Sequence, residues 1–143
     1  MPHVQEYWGE VDKWDDFFQN FKRSLELNES EQFLVNYQNK PFAFIQYYWA
    51  SKVDNGWWTG YGDDVIGLDL YIANIELLAQ GHGSLLLKEF ISSKLKPLNV
   101  RSVICDPKPS NQRAITCFEK VGFHPVNEIA TPDGVAFLMQ MKL

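Results

Sequence analysis

Little in this sequence could build a covalent or metal framework. Two cysteines, Cys105 and Cys117, are too few for a disulfide scaffold, and three scattered histidines have no metal-ligand spacing with them. No metal is expected, and both cysteines read as small core residues. No run of Lys and Arg occurs; 13 basic against 18 acidic residues leave a net charge of -5, which argues against a nucleic-acid partner and suits a cationic one. No apolar stretch reaches the roughly 18 residues of a membrane span, and no charged-then-apolar leader opens the chain. Neither a membrane nor export is indicated, and the cytoplasm is the expected location. No repeat or low-complexity tract divides the 143 residues, whose 45% hydrophobic and 15% aromatic content can bury one core but hardly two. A single domain over 1–143 is expected.

What is present alternates between helical and strand periods. Val11, Trp14, Phe17, Phe18, Phe21 and Leu25 recur at helical spacing with Asp and Lys between them. Residues 31–37 and 42–49 read as the strands of a hairpin, joined at the turn-prone Asn39-Lys40-Pro41. Residues 51–64 form a polar, Gly-rich loop carrying Trp57 and Trp58, two indoles that need shelter. A strand at 65–73, a helix at 85–95 closed by Pro97, a strand at 100–105, a helix at 109–121 stopped by Gly122 and a strand at 134–143 follow. That order implies an α/β fold around a sheet of mixed direction.

Between the third strand and the next helix stands Gln80-Gly81-His82-Gly83-Ser84. The first amides of a helix have no intrahelical partner, and its N-terminus carries roughly half a positive charge, so such a place attracts anions. Glycine lets backbone approach a pyrophosphate without a Cβ in the way. The same residues would equally serve as a tight strand-to-helix turn with Ser84 as cap. Neither the Walker loop nor the three-glycine dinucleotide fingerprint is matched.

The segment AspProLysProSerAsnGlnArgAlaIleThrCysPheGluLysValGlyPhe at 106–123 resembles the Asn-x-x-Ala-x-x-x-Tyr-x-Lys-x-Gly-Phe signature of the GCN5-related N-acetyltransferases, the GNAT superfamily. Within it, GlyTrpTrp at 56–58, GlyLeuAsp at 67–69, LeuAlaGlnGlyHisGlySer at 78–84 and ThrProAspGly at 131–134 are similar to the aminoglycoside 6'-N-acetyltransferases. The resemblance implies a mixed, mostly antiparallel sheet flanked by helices, with a central strand pair splayed apart to admit acetyl-CoA. It implies pyrophosphate on the amides of Gln80, Gly81, His82, Gly83 and Ser84, pantetheine along the backbone of Tyr71 and Ile72, and Asn111, Ala114 and Phe118 lining the far side.

In that family the substrate amine attacks the thioester directly, and Asp69 falls where the aminoglycoside enzymes carry their proposed base. An ordinary Asp titrates near ~3.9 and an amine near ~8, a gap worth roughly 5 kcal/mol, so burial would have to narrow it. Asp106 falls where the family holds sugar amines; Ser110 is the better-placed cap for the helix that follows. Trp57 and Trp58, with Tyr7 and Trp8, would wall the acceptor with faces that attract cations, and Asp133 would add a further contact or serve only its turn. The acceptor implied is a cationic small-molecule amine, as in antibiotic resistance.

Three features depart from the family. Phe118 replaces a tyrosine able to protonate the departing thiolate, and Leu78 replaces the Gln or Arg of the wider superfamily. The family also carries a strand and helix ahead of MetProHisValGlnGluTyrTrp, so an N-terminal strand and helix are expected to be missing or shortened. That would leave a sheet edge uncovered and favour a homodimer. Phe118 and the short start also leave room for a non-catalytic acyl-CoA-binding module. Polyamines, lysine-like amines and siderophore amines are alternative acceptors, although the siderophore type carries His near the position of Asp69.

Overall fold

The computed structural model describes residues 30–37, 40–52, 60–72, 81–131 and 134–143. The amphipathic pattern between Val11 and Leu25, the shortened N-terminal elements and the dimer edge expected from them lie outside these residues.

β1 (Ser30–Tyr37) and β2 (Lys40–Trp49) form the expected antiparallel hairpin, with Phe33 opposite Ile45 and Val35 opposite Ala43. Lys40 and Pro41 belong to β2 rather than to a turn; the register shift between Val35 and Asn36 lets Pro41 pair without a regular ladder. β3 (Val65–Ile72) lies antiparallel to β2 from Ala43–Ile72 to Trp49–Ile66. α1 (His82–Phe90) follows, continued by a π-helical turn over Ile91–Leu95 and a 3-10 turn over Lys96–Leu98. It begins three residues earlier than the apolar period implied, because Gly81 and Gly83, read as turn formers, are respectively its cap and part of its first turn.

β4 (Ser102–Cys105) and α2 (Gln112–Val121) come next, then β5 (His124–Thr131) and β6 (Gly134–Lys142). β5 was not expected: most of its side chains are exposed, Pro125 interrupts it and the register slips between Pro125 and Asn127, so it carries no apolar alternation. The sheet order is β1-β2-β3-β4-β6-β5, antiparallel at every step except β3–β4.

Strand alternation sends the two sheet faces to different neighbours. Ile45, Tyr47, Ile66, Leu68, Val103, Cys105 and Met139 share one cluster with Leu87, Phe90, Ile91 and Leu95 of the first helical stretch and Ile115 and Phe118 of α2. Val65, Ile104 and Leu138 face the other way and pack with Ala50, Tyr48 and Tyr61. Both helices therefore cover one face. The residues that alternate with that core on β3, namely Val65, Gly67, Asp69 and Tyr71, belong to the opposite one.

Tyr48 stands opposite Gly67 and lays its ring across it, where any Cβ on Gly67 would collide with the ring. Gly67→Ala is expected to destabilise the fold by about 1–3 kcal/mol through overpacking. Urea unfolding of Gly67→Ala, Tyr48→Ala and the double variant should show the pair losing less than the sum of the single losses.

Candidate active site

β3 and β4 run parallel for only three pairs, Val65–Ser102, Ile66–Val103 and Gly67–Ile104. β3 then continues to Ile72, whereas β4 ends at Cys105 and passes into Asp106 and Pro107. Pro107 has no N–H to offer a ladder, and its carbonyl accepts from the Phe137 N–H at 2.8 Å, which ties the chain to β6. The two strands part at this point. Asp69 and Asp106 each stand two residues past the last pair, on the two sides of the opening.

Asp69 is the chemically distinctive group. Its carboxyl lies deep even though the residue keeps some exposed surface, and burial pushes it from 3.8 up to about 6. The Gln46 amide donates to its Oδ2 at 2.6 Å and pulls the other way. Gln46 faces Asp69 directly across the β2–β3 ladder. Sequence reasoning missed it. The available signal was a single polar residue inside PheAlaPheIleGlnTyrTyrTrp, a strand otherwise built of apolar and aromatic side chains. Burial first, then the negative fields of Asp106 and Asp69, push the Cys105 thiol well up. Cys105 is a buried core residue, and Cys117 packs half-buried against the same cluster.

The glycine loop resolves into two different jobs. Gly81 caps α1 with φ +82°, a left-handed conformation, no side chain caps the helix, and a Cβ on Gly81 would meet open space. Its carbonyl accepts from Leu85 N–H at 3.2 Å and from Ser84 Oγ at 3.0 Å, so Ser84 is not the N-cap. The N–H groups ahead of Leu85 have no acceptor inside the helix. Gly83 is buried and faces inward: its Cβ would lie 3.1 Å from Ile72 Cδ1 and 3.2 Å from Cys117 Sγ. It brings α1 close to β3 and α2. His82 stands edge-on to Phe42 at 5.9 Å.

Tyr71 stacks on Phe44 at 5.3 Å, and burial raises its hydroxyl. Asn111, not Ser110, caps α2 by accepting from Ala114 N–H at 3.2 Å; Ser110 immediately precedes it and is exposed. Phe118 is buried, edge-on to Phe123 at 5.2 Å. Tyr7, Trp8, Trp57, Trp58, Leu78, Gln80 and Asp133 lie outside the described residues.

A family model described as "Acetyltransferase (GNAT) domain" matches residues 1–131. The chain belongs to the GNAT acetyltransferases. Among GNAT relatives, it is 32% identical over 142 residues to the aminoglycoside N(6')-acetyltransferase type 1 of Klebsiella pneumoniae, covering 96% of this chain and 71% of that one. It superposes on aminoglycoside acetyltransferase AAC(6')-Ib in complex with coenzyme A with a TM-score of 0.88 at 30% identity, over 99% of this chain and 83% of the other. The complex of the same enzyme with coenzyme A and kanamycin gives 0.87 at 30%, with the same coverage. The GNAT fold expected from the sequence, with its splayed central pair, is the one observed. No helix among the described residues is long and apolar enough to cross a membrane.

The raised Asp69 has a consequence for stability. An unfolded Asp loses its proton near ~3.9, while the folded one holds it to about 6, so ionisation favours unfolding increasingly from the lower value to the upper. Asp69→Asn removes that charge and keeps an oxygen able to accept from Gln46. The variant is expected to be more stable than the parent by on the order of 2 kcal/mol above pH ~7, with the gain vanishing below pH ~4, as read by urea unfolding at both pH values.

Proposed function

We propose that the chain transfers an acetyl group from acetyl-CoA to a primary amine of an aminoglycoside, with Asp69 as the base. The observation that carries this reading is Asp69 itself: a buried carboxyl at the parting of β3 and β4, pushed up to about 6. Against an amine near ~8, the proton-transfer gap shrinks to about 2 units, or roughly 3 kcal/mol, which a positioned acceptor can cross. With an ordinary carboxylate the same step would cost nearly twice as much.

Acetyl-CoA supplies the activated acetyl thioester. The Gly81 turn and the amides that open α1 hold its pyrophosphate, and the end of β3 at Tyr71 and Ile72 runs beside the pantetheine arm. Gln80 to Ser84 and the α2 end at Asn111 and Ala114 complete that wall. Asp69 takes one proton from the bound ammonium, the amine nitrogen bonds to the acetyl carbon and gives up a second proton to solvent, and the carbon–sulfur bond breaks. Phe118 has no proton to give, so solvent protonates the departing sulfur. Asp106, the aromatic residues Tyr7, Trp8, Trp57 and Trp58, and Asp133 hold the cationic acceptor, consistent with a net charge of -5. The kanamycin carried by a similar enzyme is an acceptor of this kind. In this reading the enzyme works in the cytoplasm.

Mixing the protein with acetyl-CoA and kanamycin should release thiol. Binding of acetyl-CoA with no release to kanamycin, polyamines or lysine-like amines would instead make the chain an acyl-CoA-binding module, the alternative that Phe118 favours. With turnover present, kcat/KM should fall below pH ~6 as Asp69 takes up its proton. Asp69→Asn should lower kcat about tenfold or more with little change in acetyl-CoA affinity; an unchanged kcat would remove Asp69 from this role.

A further inference from the structure

The Asp69 carboxylate has two oxygens, and Gln46 donates to one of them, Oδ2. We propose that Gln46 is a positioning residue of the acetyl transfer: its amide anchors Oδ2 of Asp69 and so aims Oδ1 at the acceptor amine. The proposal rests on the reading of Asp69 as base and adds the group that orients it.

Gln46 can do this because its neighbours confine it. On the sheet face opposite the helices, β2 presents Phe44, Gln46 and Tyr48 in a row, directly across from Tyr71, Asp69 and Gly67 of β3. Phe44 stacks on Tyr71 at 5.3 Å on one side, and Tyr48 lies across Gly67 on the other. The amide therefore stands between two fixed aromatic side chains. Its 2.6 Å bond to Oδ2 is shorter than the usual ~2.7–3.2 Å of an N–H donor, the direction in which a charged acceptor acts. A glutamine is a neutral donor. It stabilises the ionised base without the strong lowering that Arg or Lys would bring, which would have left a carboxylate too weak to take a proton.

Among the described residues, Gln46 and Tyr48 of β2 and Tyr71 of β3 share the sheet face of Asp69, Asp106 lies at the end of β4, and Cys105, in the helix-side core, senses the field of Asp69. Gln46 is the one whose hydrogen bond to Asp69 favours the charged form.

The test measures kcat and KM for kanamycin acetylation against pH in the parent, Gln46→Met, Gln46→Glu and Asp69→Asn. Gln46→Met removes the donor at nearly constant length, and Gln46→Glu puts a second acceptor in its place. The acid limb should move to higher pH by about half a unit or more in the Met variant and further in the Glu variant. At pH ~6.5 kcat should drop about 1.5-fold for a half-unit shift and by more in the Glu variant, with KM for acetyl-CoA within about twofold, and most of the loss should be recovered near pH ~8.5. Carbon-13 titration of the Asp69 carboxyl should move in the same order, and it reads the bond without turnover. A loss of kcat equal at every pH, with the carboxyl titration unmoved, would overturn the positioning role while leaving Asp69 as base. Full activity in Asp69→Asn, with the carboxyl still shifting in the Gln46 variants, would instead overturn the base and leave only a structural bond.

Discussion

β3 pairs with β2 from Ile66 to Ile72 and with β4 over only three residue pairs, and the site depends on that inequality. A fully paired β4 would have sealed the sheet and left Asp69 inside a ladder. The strands separate because β4 turns to its other neighbour: Pro107 cannot donate to β3, and its carbonyl is taken by Phe137 of β6. The same parting leaves the end of β3 beside the N-terminus of α1. One local event in the backbone thus sets the Asp69 carboxyl, the second carboxyl at Asp106 and the open end of α1 around one opening.

Electrostatics at this opening is a balance of opposed effects. Burial drives Asp69 towards its neutral form, and the Gln46 bond favours the charged form; burial wins, and the carboxyl is left near the middle of the range in which proton transfer to and from an amine is feasible. The cost is borne by the fold, since a buried carboxylate that must ionise destabilises the native state at neutral pH. The fold meets that cost with a core in which the helices cover one face of the sheet, through Leu87, Phe90, Leu95, Ile115 and Phe118, and leave the other face for the chemistry.

Departures from the family pattern look different in three dimensions. Phe118 would be a missing acid if judged by position alone, yet its ring is buried against Phe123, where it helps join α2 to the chain entering β5. The side-chain space at Gly83 is taken by Ile72 and Cys117, so the glycine lets α1 approach β3 and α2. Gly81, with its left-handed backbone and open flank, is the glycine that faces outward.

The hairpin, the two helices and three of the four remaining strands were legible where side chains alternate between core and solvent, as in β2, β3, β6 and α2, because burial imposes a period on the sequence. β5 was not legible, since an edge strand exposed on both faces imposes none. The motifs alone determined which family chemistry to expect and that Asp69 would be its base candidate. Tertiary structure alone decided that Gln46, twenty-three residues earlier, would hold that carboxylate, and that of two glycines in one loop only one would look outward. The reason is that strand register and helix packing bring together residues distant in the chain, and no local pattern encodes which partner a buried polar group will meet.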